Sequence, residues 1–117
     1  FENLLSIRID ESLYFANTRY LEELVFKLVA KQPNVEHVIL MFTAVNAVDL
    51  SALETLAKIN DTLSELGISL HLSEVKGPIM DRLEQTEFFR ALSGNCYLSQ
   101  NRAVEALKDR ELPLSDF

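Results

Sequence analysis

Val45-Asn46-Ala47-Val48-Asp49-Leu50-Ser51-Ala52-Leu53-Glu54-Thr55-Leu56 follows the apolar run Val38-Ile39-Leu40-Met41-Phe42 and turns a strand into a helix within a few residues. Val35 to Phe42 reads as a central strand, because its apolar run leaves no polar face for solvent. A helix start leaves backbone N–H groups without partners at the positive end of the helix dipole, a setting that suits a carboxylate or a phosphate. Two readings of this start compete. Ser51-Ala-Leu-Glu54 has the spacing of a capping box, the simpler reading on spacing alone. If Asp49 is the N-cap instead, Ser51 lies in the first turn with its hydroxyl free.

Upstream of this junction, Leu5, Ile7 and Ile9 alternate with Ser6 and Arg8 as a strand with one wetter face. Asp10-Glu11-Ser12 reads as a turn, and Leu13-Tyr14-Phe15 as a second short strand returning in an antiparallel hairpin. Asn17 is a candidate N-cap. From Thr18 to about Lys31, Leu21, Leu24, Val25, Leu28 and Val29 recur at helical spacing, and Pro33 closes the segment.

Downstream, Leu53, Leu56, Ala57, Leu63 and Leu66 form the stripe of a helix that Gly67 ends with a left-handed cap. Ile68, Leu70 and Leu72 alternate as a strand. Gly77-Pro78 opens a third helix running toward Thr86 or Phe89, since proline loses nothing at a first-turn position. A short Cys96-Tyr97-Leu98 strand and a helix from Asn101 to about Arg110 follow. The predicted order is β-β-α-β-α-β-α-β-α, an α/β fold whose mixed sheet is flanked by helices. Residues 110–117 read as a tail, and 1–117 as one domain.

The 117 residues are 48% hydrophobic and 25% charged, ordinary globular usage. No apolar run approaches the roughly 20 residues needed to span a bilayer, and no secretory signal is visible. The start at Phe1 is expected of a fragment cut from something longer or of a processed chain. One cysteine, Cys96, offers no internal disulfide or thiolate zinc cluster and suits a reducing compartment. A net charge of −7 disfavours nucleic acid or an anionic lipid surface as the main partner.

Little catalytic chemistry is legible. His37 and His71 each fall within a predicted strand, a setting for core-edge or solvent-facing side chains rather than metal ligands. The carboxylates Glu22, Glu23, Glu36, Glu65, Glu84, Glu87 and Glu105 fit solvated helix faces and ends. Three glycines leave no phosphate-cradling loop, and no nucleophile–histidine arrangement stands out, so no enzyme, cofactor or metal site is expected. Tyr14, Phe15, Phe42, Phe88 and Phe89 read as core, with only Tyr14 half exposed. Lys76, Arg82 and Arg90, around the third helix, carry little information.

The element order, with Asp49-Leu50-Ser51-Ala52 at the junction, resembles the STAS domain shared by sulfate transporters and anti-sigma factor antagonists. In the antagonists the corresponding motif is Asp-Ser-Ser-Gly, whose second serine is phosphorylated by the anti-sigma kinase and falls on Ser51. Leu50 and Ala52 depart from that pattern. Leu13-Tyr14-Phe15-Ala16-Asn17 is similar to the segment after the first strand in STAS domains of SulP-type anion transporters. The resemblance implies a non-catalytic regulatory or interaction module on the cytoplasmic face of the inner or plasma membrane, part of an integral membrane transporter of sulfate, dicarboxylate or bicarbonate. Its implied partners are the membrane domain of the same transporter and a cytoplasmic regulatory protein. Asp49 and Ser51 are the candidate phosphorylation and interaction residues, with Asn46, Ala47, Val48, Leu50, Ala52 and Glu54 completing the interaction loop and helix. A free-standing antagonist with Ser51 as its switch is the alternative. Nucleotide binding, proposed for some STAS domains, is expected to be weak or absent in so glycine-poor a chain.

Overall fold

The computed structural model describes residues 1–109. In chain order these form β1 (Leu4–Arg8), α1 (Phe15–Lys31), β2 (His37–Met41), α2 (Leu50–Glu65) and β3 (Ser69–Ser73). They continue as α3 (Gly77–Leu83), α4 (Glu87–Ala91), β4 (Cys96–Tyr97) and α5 (Gln100–Leu107). The strands form one parallel sheet in the order β1-β2-β3-β4. Right-handed crossovers between strands laid down in sequence put α1, α2, α3 and α4 on one side. α5 follows the last strand and lies on the other.

The register sets Ile7 beside Leu40 and Leu40 beside Leu72. Because side chains alternate along a strand, Val38, Leu40, Leu70 and Leu72 share a face, and all four are fully buried. Against them pack Leu21 and Val25 of α1 and Leu56, Ile59 and Leu63 of α2. The opposite face carries Ser6, Ile39, His71 and Ser73. α5 lies over it with Ala103 buried, while Gln100 accepts from the Ser73 hydroxyl at 2.6 Å and donates to Ser6 Oγ at 2.8 Å.

The expected hairpin does not form, and the observed order is β-α-β-α-β-α-α-β-α. Leu13, 2% exposed, pairs in parallel with Val48 instead of folding back on β1: its N–H donates to the Ala47 carbonyl, and the Asp49 N–H donates to its own. The sheet is therefore wholly parallel among the described residues rather than mixed. An apolar side chain one step past a turn gains more from the core than from a two-strand ribbon with a single wetter face.

α1 also starts earlier than its periodicity suggests. Tyr14 is the N-cap, and Asn17 sits three residues inside, where its Oδ1 accepts from the Tyr14 N–H at 2.8 Å. Asn17 thus satisfies the helix start from within rather than capping it. Phe15 is 60% exposed, not core. The predicted third helix is two, because the Thr86 hydroxyl donates to the Leu83 carbonyl and accepts from the Phe89 N–H, closing α3 and opening α4.

Gly67 ends α2 with φ +76°, the left-handed conformation predicted for it. Leu66 leaves the apolar stripe at 59% exposure, since α2 has ended at Glu65. α5 runs from Gln100 to Leu107, shorter than the predicted helix, and the predicted tail lies outside the described residues.

Candidate functional site

The junction is built around Asp49. Its Oδ1 accepts from the Ala52 N–H at 2.7 Å, making Asp49 the N-cap of α2, and its Oδ2 accepts from the Phe15 N–H at 3.4 Å. One carboxylate thus serves the starts of two helices whose positive ends point the same way. The capping box read from spacing is not present. Helix α2 begins at Leu50, so Ser51 is its second residue and Glu54 its fifth, too far along to reach back to the cap. Ser51 accepts through its carbonyl from the Thr55 hydroxyl at 3.2 Å, and its hydroxyl takes no part in the cap.

The loop before Asp49 is pinned from two sides. Ser12 Oγ accepts from the N–H groups of Asn46 and Ala47, each at 3.0 Å. Lys76 Nζ donates to Asn46 Oδ1 at 2.5 Å, tying the loop to the start of α3. The β1–α1 and β3–α3 connections therefore hold the β2–α2 loop in one shape before any partner arrives. A preformed surface of this kind loses less conformational entropy on docking.

Along the sequence-predicted stretch, burial divides the residues. Val48 is 6% exposed and Ala52 fully buried, so both side chains serve the core. Asn46, Leu50 and Glu54 are exposed; Ala47, Asp49 and Ser51 are half-buried. Leu50, 72% exposed, is an apolar side chain with little to gain from solvent. Tyr14 and Phe15, exposed at the neighbouring start of α1, extend the apolar surface beyond that stretch. Sequence reasoning missed Phe15 because an aromatic within a predicted strand reads as core. The cue for its exposure was the Asn17 cap three residues after Tyr14.

Two clefts run from this point along α2. One of about 360 Å³ is lined by Leu50, Leu53, Glu54, Ala57, Thr86 and Phe88. The other, of about 200 Å³, shares Leu53 and Thr86 and reaches Val48, Ile79, Arg82 and Leu83. Together they form a groove between α2 and the α3–α4 pair. A third cleft of about 280 Å³ lies between the end of β1 and α1, with Arg8, Asp10, Glu11, Asn17 and Tyr20 among its lining.

Among the described residues no three histidine, cysteine or acidic side chains gather as a metal site, and no helix is long and apolar enough to cross a membrane. Burial first, and then the charge of Glu84, push the Cys96 thiol up to about 11, which keeps it un-ionised at neutral pH and a poor nucleophile. His37 and His71 meet under α5, far from the junction in the sense that they lie on the opposite face of the sheet.

The STAS domain family model matches residues 1–103. "Probable sulfate transporter 3.4" of Arabidopsis thaliana is 28% identical over 113 residues, covering 88% of this chain and 17% of that protein. The murine Slc26a9 anion transporter in its inward-facing state superposes with a TM-score of 0.74 at 21% identity, over 89% of this chain and 17% of the transporter. A Thermotoga maritima protein assigned as an anti-sigma factor antagonist superposes with a TM-score of 0.78 at 18% identity, over 93% of this chain and 91% of that one. At these identities the two structures speak to the fold alone.

Proposed function

This chain belongs to the STAS domain family, and from that premise we propose that it is the non-catalytic regulatory and interaction domain of a SulP-type anion transporter, lying on the cytoplasmic face of the membrane. The chain spans about a sixth of the length of the transporters it matches, 17% of the first, so the transported anion belongs to the remainder. Sulfate, dicarboxylate and bicarbonate are the candidates.

The observation that carries the reading is the hydrogen-bonded β2–α2 junction, which presents Leu50 at 72% exposure beside an apolar groove. A surface held in shape by Ser12, Lys76 and Asp49, yet offering an unpartnered leucine, fits a docking site better than a catalytic one. On this reading Asn46 to Ser51 and the first turns of α2 are read by the transporter's own membrane domain or by a cytoplasmic regulatory protein.

The test places Leu50→Glu, and separately Ser51→Asp, in the full-length membrane protein and measures anion uptake per copy at the cell surface. Uptake should fall while the domain stays folded. Uptake and partner capture that both match the unaltered protein would sink the reading.

A second reading, a free-standing anti-sigma factor antagonist, is favoured by one specific feature. With Asp49 as cap, the hydroxyl of the half-buried Ser51 is left out of the helix start. A phosphate there would meet the helix dipole favourably and the nearby Asp49 and Glu54 unfavourably, so its effect would fall on a docked partner more than on the fold. Phosphopeptide mass spectrometry of native protein distinguishes the two readings, because the second requires a modified fraction at Ser51 under some growth condition.

A further inference from the structure

The sheet face beneath α5 carries two histidines whose hydrogen bonds leave no place for an additional proton. His37 Nδ1 lies 3.0 Å from His71 Nε2, and the Asn95 backbone N–H donates to His71 Nδ1 over 3.0 Å. An amide N–H can only donate, so His71 Nδ1 is the bare, accepting nitrogen. The proton of neutral His71 is then on Nε2 and is donated to His37 Nδ1, which leaves His37 with its own proton on Nε2.

A third proton on the pair has no compatible position. On His37 Nδ1 it faces the His71 Nε2 proton. If His71 answers by moving its proton to Nδ1, that proton faces the Asn95 N–H, and the same collision follows if His71 itself holds both. Every arrangement sets two donors head to head, at His37–His71 or at His71–Asn95, and a buried pair of opposed donors costs the full hydrogen bond. His71 is 2% exposed and His37 half-buried, so solvent reaches the pair through His37.

The groups packed around the pair do not offset the charge. From β4 come the neutral Tyr97 ring, 5.8 Å from His71, and the un-ionised Cys96. On the same face β1 holds Arg8, exposed and paired with Asp10. α5 brings Ala103, with Arg102 exposed and Glu105 paired to Lys108, and Glu74 at the end of β3 is engaged by the Gln100 N–H. Among the described residues no carboxylate hydrogen-bonds either ring. Burial first, and His37 second, hold His71 down to about 4, in keeping with that arrangement.

Asn95 lies in the turn that docks β4. The Gly94 N–H donates to the Leu70 carbonyl and the Leu72 N–H to the Asn95 carbonyl, each at 3.0 Å. The turn approaches so closely that a Cβ on Gly94 would lie 2.3 Å from His71 Nδ1. We infer that His37, His71 and the Asn95 amide form an acid-sensitive relay of hydrogen bonds, in which one proton added to the histidine pair shifts the tautomer of His71 by exchange with solvent water and loosens β4 from the sheet. When His71 Nδ1 carries the proton, the Asn95 N–H loses its acceptor; water takes the proton released at Nε2 and supplies the one gained at Nδ1.

The test follows imidazole nitrogen resonances and amide hydrogen exchange of the 117-residue chain across about pH 7.5 to 4.5. At neutral pH both rings should carry their proton on Nε2. As the pH falls across this range, protection at Asn95, Gly94 and Leu72 should fall roughly tenfold relative to Ile9, whose N–H joins β1 to β2. His37→Asn puts an oxygen acceptor where Nδ1 stands but cannot titrate in this range, so the selective loss should vanish in it. A proton on His71 Nδ1 at neutral pH, or equal protection changes at Asn95 and Ile9, overturns the relay, as does selective loss persisting in His37→Asn. Should that variant fail to fold, the tautomers and the paired exchange rates of the unaltered chain decide the matter.

Discussion

Toward α1 and α2, strands β2 and β3 present Val38, Leu40, Leu70 and Leu72, all fully buried in one apolar cluster. Toward α5 the same two strands present His37, Ser69, His71 and Ser73, with Ile39 the one large apolar side chain buried among them. The first face coheres by removing apolar area from water, which is non-directional and forgiving of small shifts. The second depends on hydrogen bonds from Ser73 to Gln100, from Gln100 to Ser6 and from Asn95 to His71, which hold only while each donor meets an acceptor. One sheet therefore has a side sensitive to volume and a side sensitive to protons.

The largest effect expected is on the apolar side. Leu40→Ala removes a fully buried side chain from the centre of the sheet and should cost about 4 kcal/mol in urea unfolding. Acid should act on the polar side. His71 is depressed from 6.5 to about 4 in the fold, so the unfolded chain takes up its proton first as pH falls. Stability is then unaffected above 6.5 and declines between 6.5 and 4, by up to about 3 kcal/mol from this group. Urea midpoints that stay level across that window would show that the face tolerates charge.

Gly94→Ala sharpens the same contrast, since its Cβ would meet both the His71 ring and, at 2.4 Å, the Leu70 carbonyl. A backbone neighbour cannot step aside, and a loss of about 2 kcal/mol is expected, with the shift concentrated in the amide resonances of β3 and β4. At the junction the expected effects are smaller. Asp49→Ala should cost about 1 kcal/mol through the lost cap, whereas Ser51→Ala should stay within about 0.5 kcal/mol, because the serine hydroxyl is not part of the cap. Reversed values for that pair would restore the capping box.

Much of the helical side was legible because its signals are local. The run from Val38 to Phe42, the stripe of α2 and the glycine that ends it each need only neighbouring residues to be read. Leu13-Tyr14-Phe15 was not, because an apolar triplet after a turn suits a returning strand and a helix start alike. The decision came from Val48, thirty-odd residues away, which gives Leu13 a parallel partner. The same limit applies at Ser51. Both Asp49 and Ser51 satisfy the local rule for a cap, and the contact from the Phe15 N–H gives Asp49 a second role that no local pattern contains. The two histidines, likewise, read as isolated strand residues, because their pairing depends on the register between β2 and β3.

By itself the sequence determined the alternation of strands and helices, the apolar side of each and the place where a strand hands over to a helix beside Asp49 and Ser51. Periodicity and capping are properties of contiguous residues, so they are written in order along the chain. Only the tertiary structure decided that the sheet is parallel throughout the described residues, that Leu50 faces outward beside an apolar groove, and that His37 and His71 share a hydrogen bond. Each of these depends on which distant segments become neighbours, and that is settled by how the whole chain buries its apolar surface and satisfies its buried polar groups.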